Sequence, residues 1–128
     1  MAQVKRVWGG NYKLCPRSSA CPLTKTDQVW DYIYERGEPL GAAVRFRHGI
    51  VTAVFTLGSP TGWHTQQGLG VGEQIEKANE LYGQLAWHVC TGYAAMSMRN
   101  GNTITSIYTT GENVYGFALT ASTESICQ

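Results

Sequence analysis

Ala42-Ala43-Val44-Arg45-Phe46-Arg47-His48-Gly49 returns 52 residues later as a looser copy, Ala94-Ala95-Met96-Ser97-Met98-Arg99-Asn100-Gly101. Val51-Thr52-Ala53-Val54-Phe55-Thr56-Leu57-Gly58 returns as Ile104-Thr105-Ser106-Ile107-Tyr108-Thr109-Thr110-Gly111, now displaced by 53. The extra residue falls at Asn102-Thr103 opposite Ile50, in a turn, where an insertion disturbs least. Within the first copy, Val44, Phe46 and His48 share one face, and Arg45 and Arg47 the other. The stretch 42–57 therefore reads as a β-hairpin turning at His48-Gly49. In the second half the reading is three strands, about 92–99, 103–109 and 114–120. Their turns are Arg99-Asn100-Gly101-Asn102 and Gly111-Glu112-Asn113.

Each hairpin is preceded by a segment of helical spacing. Val29/Ile33 and Trp30/Tyr34 are four apart over 25–36. Thr24-Lys25-Thr26-Asp27 resembles a capping box, and Gly37 and Pro39 form a stop. In the second half Val71, Ile75, Ala78 and Tyr82 predict a helix over 72–82, with Glu73/Lys77 as an i,i+4 pair and Gly83 as terminator. Residues 3–14 read as a strand pair or an irregular strand around Gly9-Gly10-Asn11. After Gly58, Pro60 cannot join a ladder, so the first half is expected to replace its third strand by a loop. The expected fold is α+β, with two tandem helix-plus-antiparallel-meander repeats, about 24–58 and 72–120. They form one sheet within a single domain, 1–128, with the helices on one face.

The chain has 128 residues, 15% of them charged, and a formal net charge of +1. That balance supplies no basic footprint for nucleic acid. No apolar run approaches the ~18 residues that span a bilayer, so membrane insertion is not expected. Four Trp and seven Tyr suit a β-rich core or a contact surface. Met1-Ala2-Gln3 leads straight into polar sequence. The chain is therefore read either as cytosolic or as a secreted or periplasmic cell-envelope protein whose signal peptide has been removed.

The cysteines favour the second reading. Cys15 and Cys21 bracket a short polar turn, and Cys127 stands where a tether would stop fraying. The favoured pairing is Cys15–Cys21 and Cys90–Cys127. It would contribute roughly 2–2.5 and ~4 kcal/mol in the chain-entropy description. The alternative is four reduced thiols in a cytosolic protein.

Gly68-Leu69-Gly70-Val71-Gly72, the helix ending Leu81-Tyr82-Gly83, Cys90, and a meander with glycine-bearing turns resemble the tandem α+β modules of the β-lactamase inhibitor proteins. The small outer-membrane-assembly lipoproteins are similar in their helix-between-glycines module. Gly58-Ser59-Pro60-Thr61-Gly62-Trp63-His64-Thr65 before that motif is similar to small secreted actinobacterial proteins without an assigned activity. The resemblance covers about residues 40–120 and implies a fold.

No set of residues converges on a reaction. His88-x-Cys90 with Cys127 falls short of a zinc pattern, so no metal is expected. If the cysteines are paired, no thiolate is left beside His48, His64 or His88. Asp31, Glu35 and Glu38, and Glu73, Glu76 and Glu80, read as solvated helix faces. Gly68-x-Gly70-x-Gly72 follows a polar segment rather than a buried strand, so it is not a dinucleotide loop, and no cofactor is expected. The expected function is a non-enzymatic secreted binding or inhibitor-like module for a protein or glycan partner. Its contacts would be Arg45, Arg47 and Arg99 on the exposed sheet face, with Trp63 and His64 in a glycine-rich loop. One alternative is a small hydrolase-type enzyme joining His64 or His88 to Asp31 or Glu35 between the halves. Another is a structural envelope component. The oligomeric state is left open.

Overall fold

The computed structural model describes residues 1–15, 24–32, 41–58 and 62–128. Among them are two short helices, α1 (Ala2–Trp8) and α2 (Ile75–Tyr82), and eight strands. The strands are β1 (Lys13–Leu14), β2 (Gln28–Asp31), β3 (Ala42–Arg47), β4 (Ile50–Thr56), β5 (Ala86–Val89), β6 (Ala94–Asn100), β7 (Thr103–Thr110) and β8 (Asn113–Ala121). They form one antiparallel sheet in the order β1-β2-β3-β4-β8-β7-β6-β5. The α+β class and the continuous sheet are as the sequence predicts.

Both quoted stretches are hairpins. In β3–β4 the turn is His48-Gly49, with φ of 51° and 76°. Those are the left-handed values that a two-residue turn needs to match strand twist. In β6–β7 the turn is Gly101-Asn102, between the paired Asn100 and Thr103. The one-residue difference is absorbed differently from the expectation. The β3–β4 register shifts between Arg45 and Phe46, so Arg45 faces Ala53 and Phe46 faces Val51, with Thr52 bulged between them. β6–β7 runs without a shift.

Two assignments are corrected. Residues 28–31 of the expected helix 25–36 are strand β2, paired residue by residue with β3; residues 33–40 lie outside the described residues. Val29 packs with Ala43 and Phe55, while Trp30 packs with Val44 and Phe46. A strand buried on both faces shows an apolar run without alternation, which mimics a helical stripe. The Thr24-x-x-Asp27 motif does cap, but it caps a turn. Thr24 Oγ1 accepts the Asp27 N–H at 2.8 Å, and Asp27 Oδ1 accepts the His48 N–H at 2.6 Å, tying this turn to the β3–β4 hairpin.

The second correction is α1: of the strand pair or irregular strand expected over 3–14, only β1 is strand, and Ala2–Trp8 is helix. Met1, Val4 and Trp8 lie against Trp30, Val44 and Phe46. Their spacing of three and four is helical, and this packing outweighs the β-propensity of Val and Trp. α2 begins at Ile75, after a turn in which Gly72 N–H donates to Val114 O and Ile75 N–H donates to Glu112 O. Its Ile75, Leu81 and Tyr82 pack on Met96, Ile107 and Val114. β5, only four residues long, was not anticipated.

Candidate binding cleft

Cross-strand register defines the face on which the candidate site lies. Ala43, Phe55, Ala118, Ser106 and Ser97 follow one another across β3, β4, β8, β7 and β6. Arg45, Ala53, Thr120, Ile104 and Arg99 form the next row. The tail after β8 lies over this face. Ile126 packs on the cluster of Ala43, Phe55 and Tyr108. Tyr108 Oη donates to Ile126 O at 2.7 Å, and Tyr93 Oη donates to Gln128 O at 2.7 Å. Cys90 and Cys127 are bonded, with Cα atoms 5.6 Å apart. Cys15 is disulfide-bonded too; its expected partner Cys21 lies outside the described residues.

The three arginines have different fates. Arg47 pairs with Glu124 at 3.1 Å, where the Glu124 side chain is only 5% exposed. A carboxylate buried to that degree requires a partner, because desolvation of an unpaired charge is costly. Arg45 lies over the Phe55 ring at 5.9 Å. Burial lowers its pKa from the ordinary value, and Glu124 acts in the opposite direction. Both are therefore engaged in holding the tail and the sheet. Arg99 is exposed and has no ion-pair partner among the described residues.

Arg99 lines a cleft of about 440 Å³ with His88, Ser122, Glu124, Ser125 and the Cys127 end of the tail. The β5–β6 strands form one wall and the tail forms the other. His88, which lines the cleft, has its Nε2 2.8 Å from the Oγ of the buried Ser97. The wall is fixed by the Cys90–Cys127 bond, so the cleft is held open by covalent structure and not by loop packing alone. An exposed guanidinium beside hydroxyls suits a carboxylate, sulfate or phosphate group, which a guanidinium fork can grip with two parallel bonds. Because Cys90 is in a disulfide, His88-x-Cys90 offers no thiolate to a metal or a substrate. No group of three or more His, Cys, Asp or Glu that could hold a metal occurs among the described residues.

Trp63 and His64 lie elsewhere. The Trp63 ring meets Trp8 of α1 edge-on at 6.4 Å, and His64 forms an isolated bridge with Gly70. Trp8 packs with Trp30, Val44 and Phe46, away from the Phe55 cluster under Arg45. The loop is closed by Thr65, whose Oγ1 accepts from Leu69 N–H at 3.1 Å and from Tyr82 Oη at 2.5 Å. The sheet-face arginines and the Trp63–His64 loop thus occupy two separate regions. Asp31 is buried in β2 and His88 is in β5, with five strands between them in the sheet order. Glu35 lies outside the described residues.

Ser97, Ser122, Glu124 and Ser125 were not picked out from sequence. The tether at Cys127 was the available signal, since a tied tail must dock on something. No family model matches the chain, and comparison with curated proteins and with solved structures found no match.

Proposed function

We propose that the chain is a non-enzymatic binding module of the cell exterior or periplasm, inhibitor-like in kind, which takes an anionic group of a protein or glycan partner at the Arg99 cleft. The observation that carries this is an exposed, unpaired guanidinium in a cleft whose wall is held by a disulfide. An intramolecular disulfide fits an oxidising compartment, and no helix among the described residues is long and apolar enough to cross a membrane. We infer as well that the molecule is built of two related halves, β2–β4 and β5–β8, with α1 and α2 over one common face. Val44, Val54, Leu119, Thr105 and Met98 follow in register across that face, which supports the inference. Trp63 stays in the proposal as a second contact near α1.

The test is a backbone-amide NMR titration with a hexaglutamate peptide and, separately, a uronic-acid trisaccharide. The expected result is saturable shifts at His88, Arg99, Ser122 and Ser125, lost in Arg99→Ala. Shifts confined to the Trp63 loop, or none with either ligand, would overturn the cleft as the site.

One observation favours a second reading, the hydrolase type. His88 Nε2 within 2.8 Å of Ser97 Oγ is a nucleophile–base distance. Under that reading a fluorophosphonate probe labels Ser97, and His88→Ala abolishes labelling. An unlabelled protein leaves the binding reading alone.

A further inference from the structure

The two edges of the sheet are built differently. β1 is two residues long and carries Lys13, a short and charged edge of the kind that discourages strand addition. β5, at the other end, is twice as long and carries no charged residue. From Leu81 to Met98 the chain contains no Asp, Glu, Lys, Arg or Pro. Trp87 is 53% exposed and Val89 is 83% exposed.

The hydrogen-bond parity of this edge follows from its hairpin. Cys90 N–H donates to Tyr93 O at 3.0 Å, so Cys90 turns its backbone groups toward β6. In an antiparallel ladder this alternates. His88, opposite Ala95, and Ala86, opposite Ser97, face β6 as well. Trp87 and Val89 therefore direct their N–H and C=O groups outward, away from the sheet. The Cys127 sulfur, 3.8 Å from Val89 O, carries no proton in the disulfide and so cannot satisfy that carbonyl.

We propose that β5 is a self-association edge, and that its occupant is the β5 strand of a second copy of this chain, added antiparallel about a two-fold axis through His88. This is the register in which the outward residues oppose each other twice. Trp87 of each copy faces Val89 of the other, giving four backbone hydrogen bonds. On the same face Trp87 packs across the strand boundary on Val89, an aromatic–β-branched pair of the kind that stabilises sheets. No charge is brought against a like charge, because the edge has none. An isologous contact of this kind closes on itself and gives a dimer, not a fibre. Four paired residues bury less than a standard interface of about 1,600 Å², so the dimer is weak, with a dissociation constant of roughly tens of micromolar to millimolar. The inference does not depend on the Arg99 cleft.

The experiment is sedimentation equilibrium over a wide concentration range, paired with amide hydrogen exchange at both ends of it. The expected result is a monomer–dimer equilibrium, with Trp87 and Val89 amides slowing as concentration rises. The His88 amide stays protected throughout, since its partner is intramolecular. Val89→Pro removes an outward donor and spares the β5–β6 bonds; Val89→Lys adds an edge charge at a solvent-exposed position. Both are expected to shift the equilibrium to monomer by tenfold or more. A wild-type chain that stays monomeric to millimolar concentration overturns the proposal. So does a dimer that both variants leave intact, or one whose Trp87 and Val89 amides exchange independently of concentration.

Discussion

Gly116 of β8 lies hard against the backbone of Thr56 at the end of β4. A Cβ built there would stand 2.0 Å from the Thr56 carbonyl oxygen, inside any tolerable contact. Phe117 N–H, one residue on, donates to Thr56 Oγ1 at 3.1 Å, so the strand cannot withdraw without breaking that bond. Gly116→Ala is therefore expected to lower stability by about 3 kcal/mol, as overpacking against backbone does. An unfolding free energy from urea titration that falls by less than ~0.3 kcal/mol would refute the argument. Glycine here is required by backbone proximity, not by turn conformation. Reading along the chain, Gly116 is only a weak spot in a strand; the neighbour that makes it obligatory is Thr56, 60 positions away in sequence.

Single elements show where short-range reading succeeds and where it stops. α2 is legible because one side only is buried, and its spacing shows it. Its entry depends on Glu73, which accepts Gly70 N–H at 2.6 Å and pairs with Lys77. The bond to Lys77, then that to Gly70, holds the Glu73 carboxyl below its ordinary pKa. A depressed carboxyl contributes stability above its unfolded pKa of about 4.3, and that contribution is lost as pH falls through the folded value. Urea midpoints of wild type and Glu73→Gln should thus differ at neutral pH and converge in acid; a gap independent of pH would contradict this. β2 was misread because its two faces are both buried, which only the sheet and α1 together create. The tail is an element without regular structure, yet it covers the Phe55 cluster. Cys127→Ser opens a loop of 37 residues, so it should cost about 4 kcal/mol. It should also release the cleft wall, read as faster amide exchange at Ile126 and Gln128. Unchanged exchange there would show that hydrogen bonds alone hold the tail.

At the scale of the whole molecule, burial of tyrosine couples stability to alkaline pH. Burial raises the pKa of Tyr108, with Tyr93 adding to it, and burial also raises Tyr93 and Tyr32. A raised pKa means stability that is fully present below the unfolded value near 10 and is lost as pH rises through the folded values. Of the seven tyrosines, some should ionise only together with unfolding. The measurement is absorbance of tyrosinate against circular dichroism in an alkaline titration. Ionisation of all seven before any loss of structure would overturn it.

Local sequence suffices for the two hairpins, their glycine turns, α2 and the third strand β8. Each of these follows from contacts close in the chain or from periodicity that one buried face imposes. Contacts between distant segments set β2 as strand, α1 as helix, and the partition of the arginines. Arg45, Arg47 and Arg99 are alike in sequence, alternating on one sheet face. Only the docked tail, with buried Glu124, engages the first two and leaves Arg99 open. Burial and charge pairing are set by what arrives from distant parts of the chain, and local pattern carries no record of it.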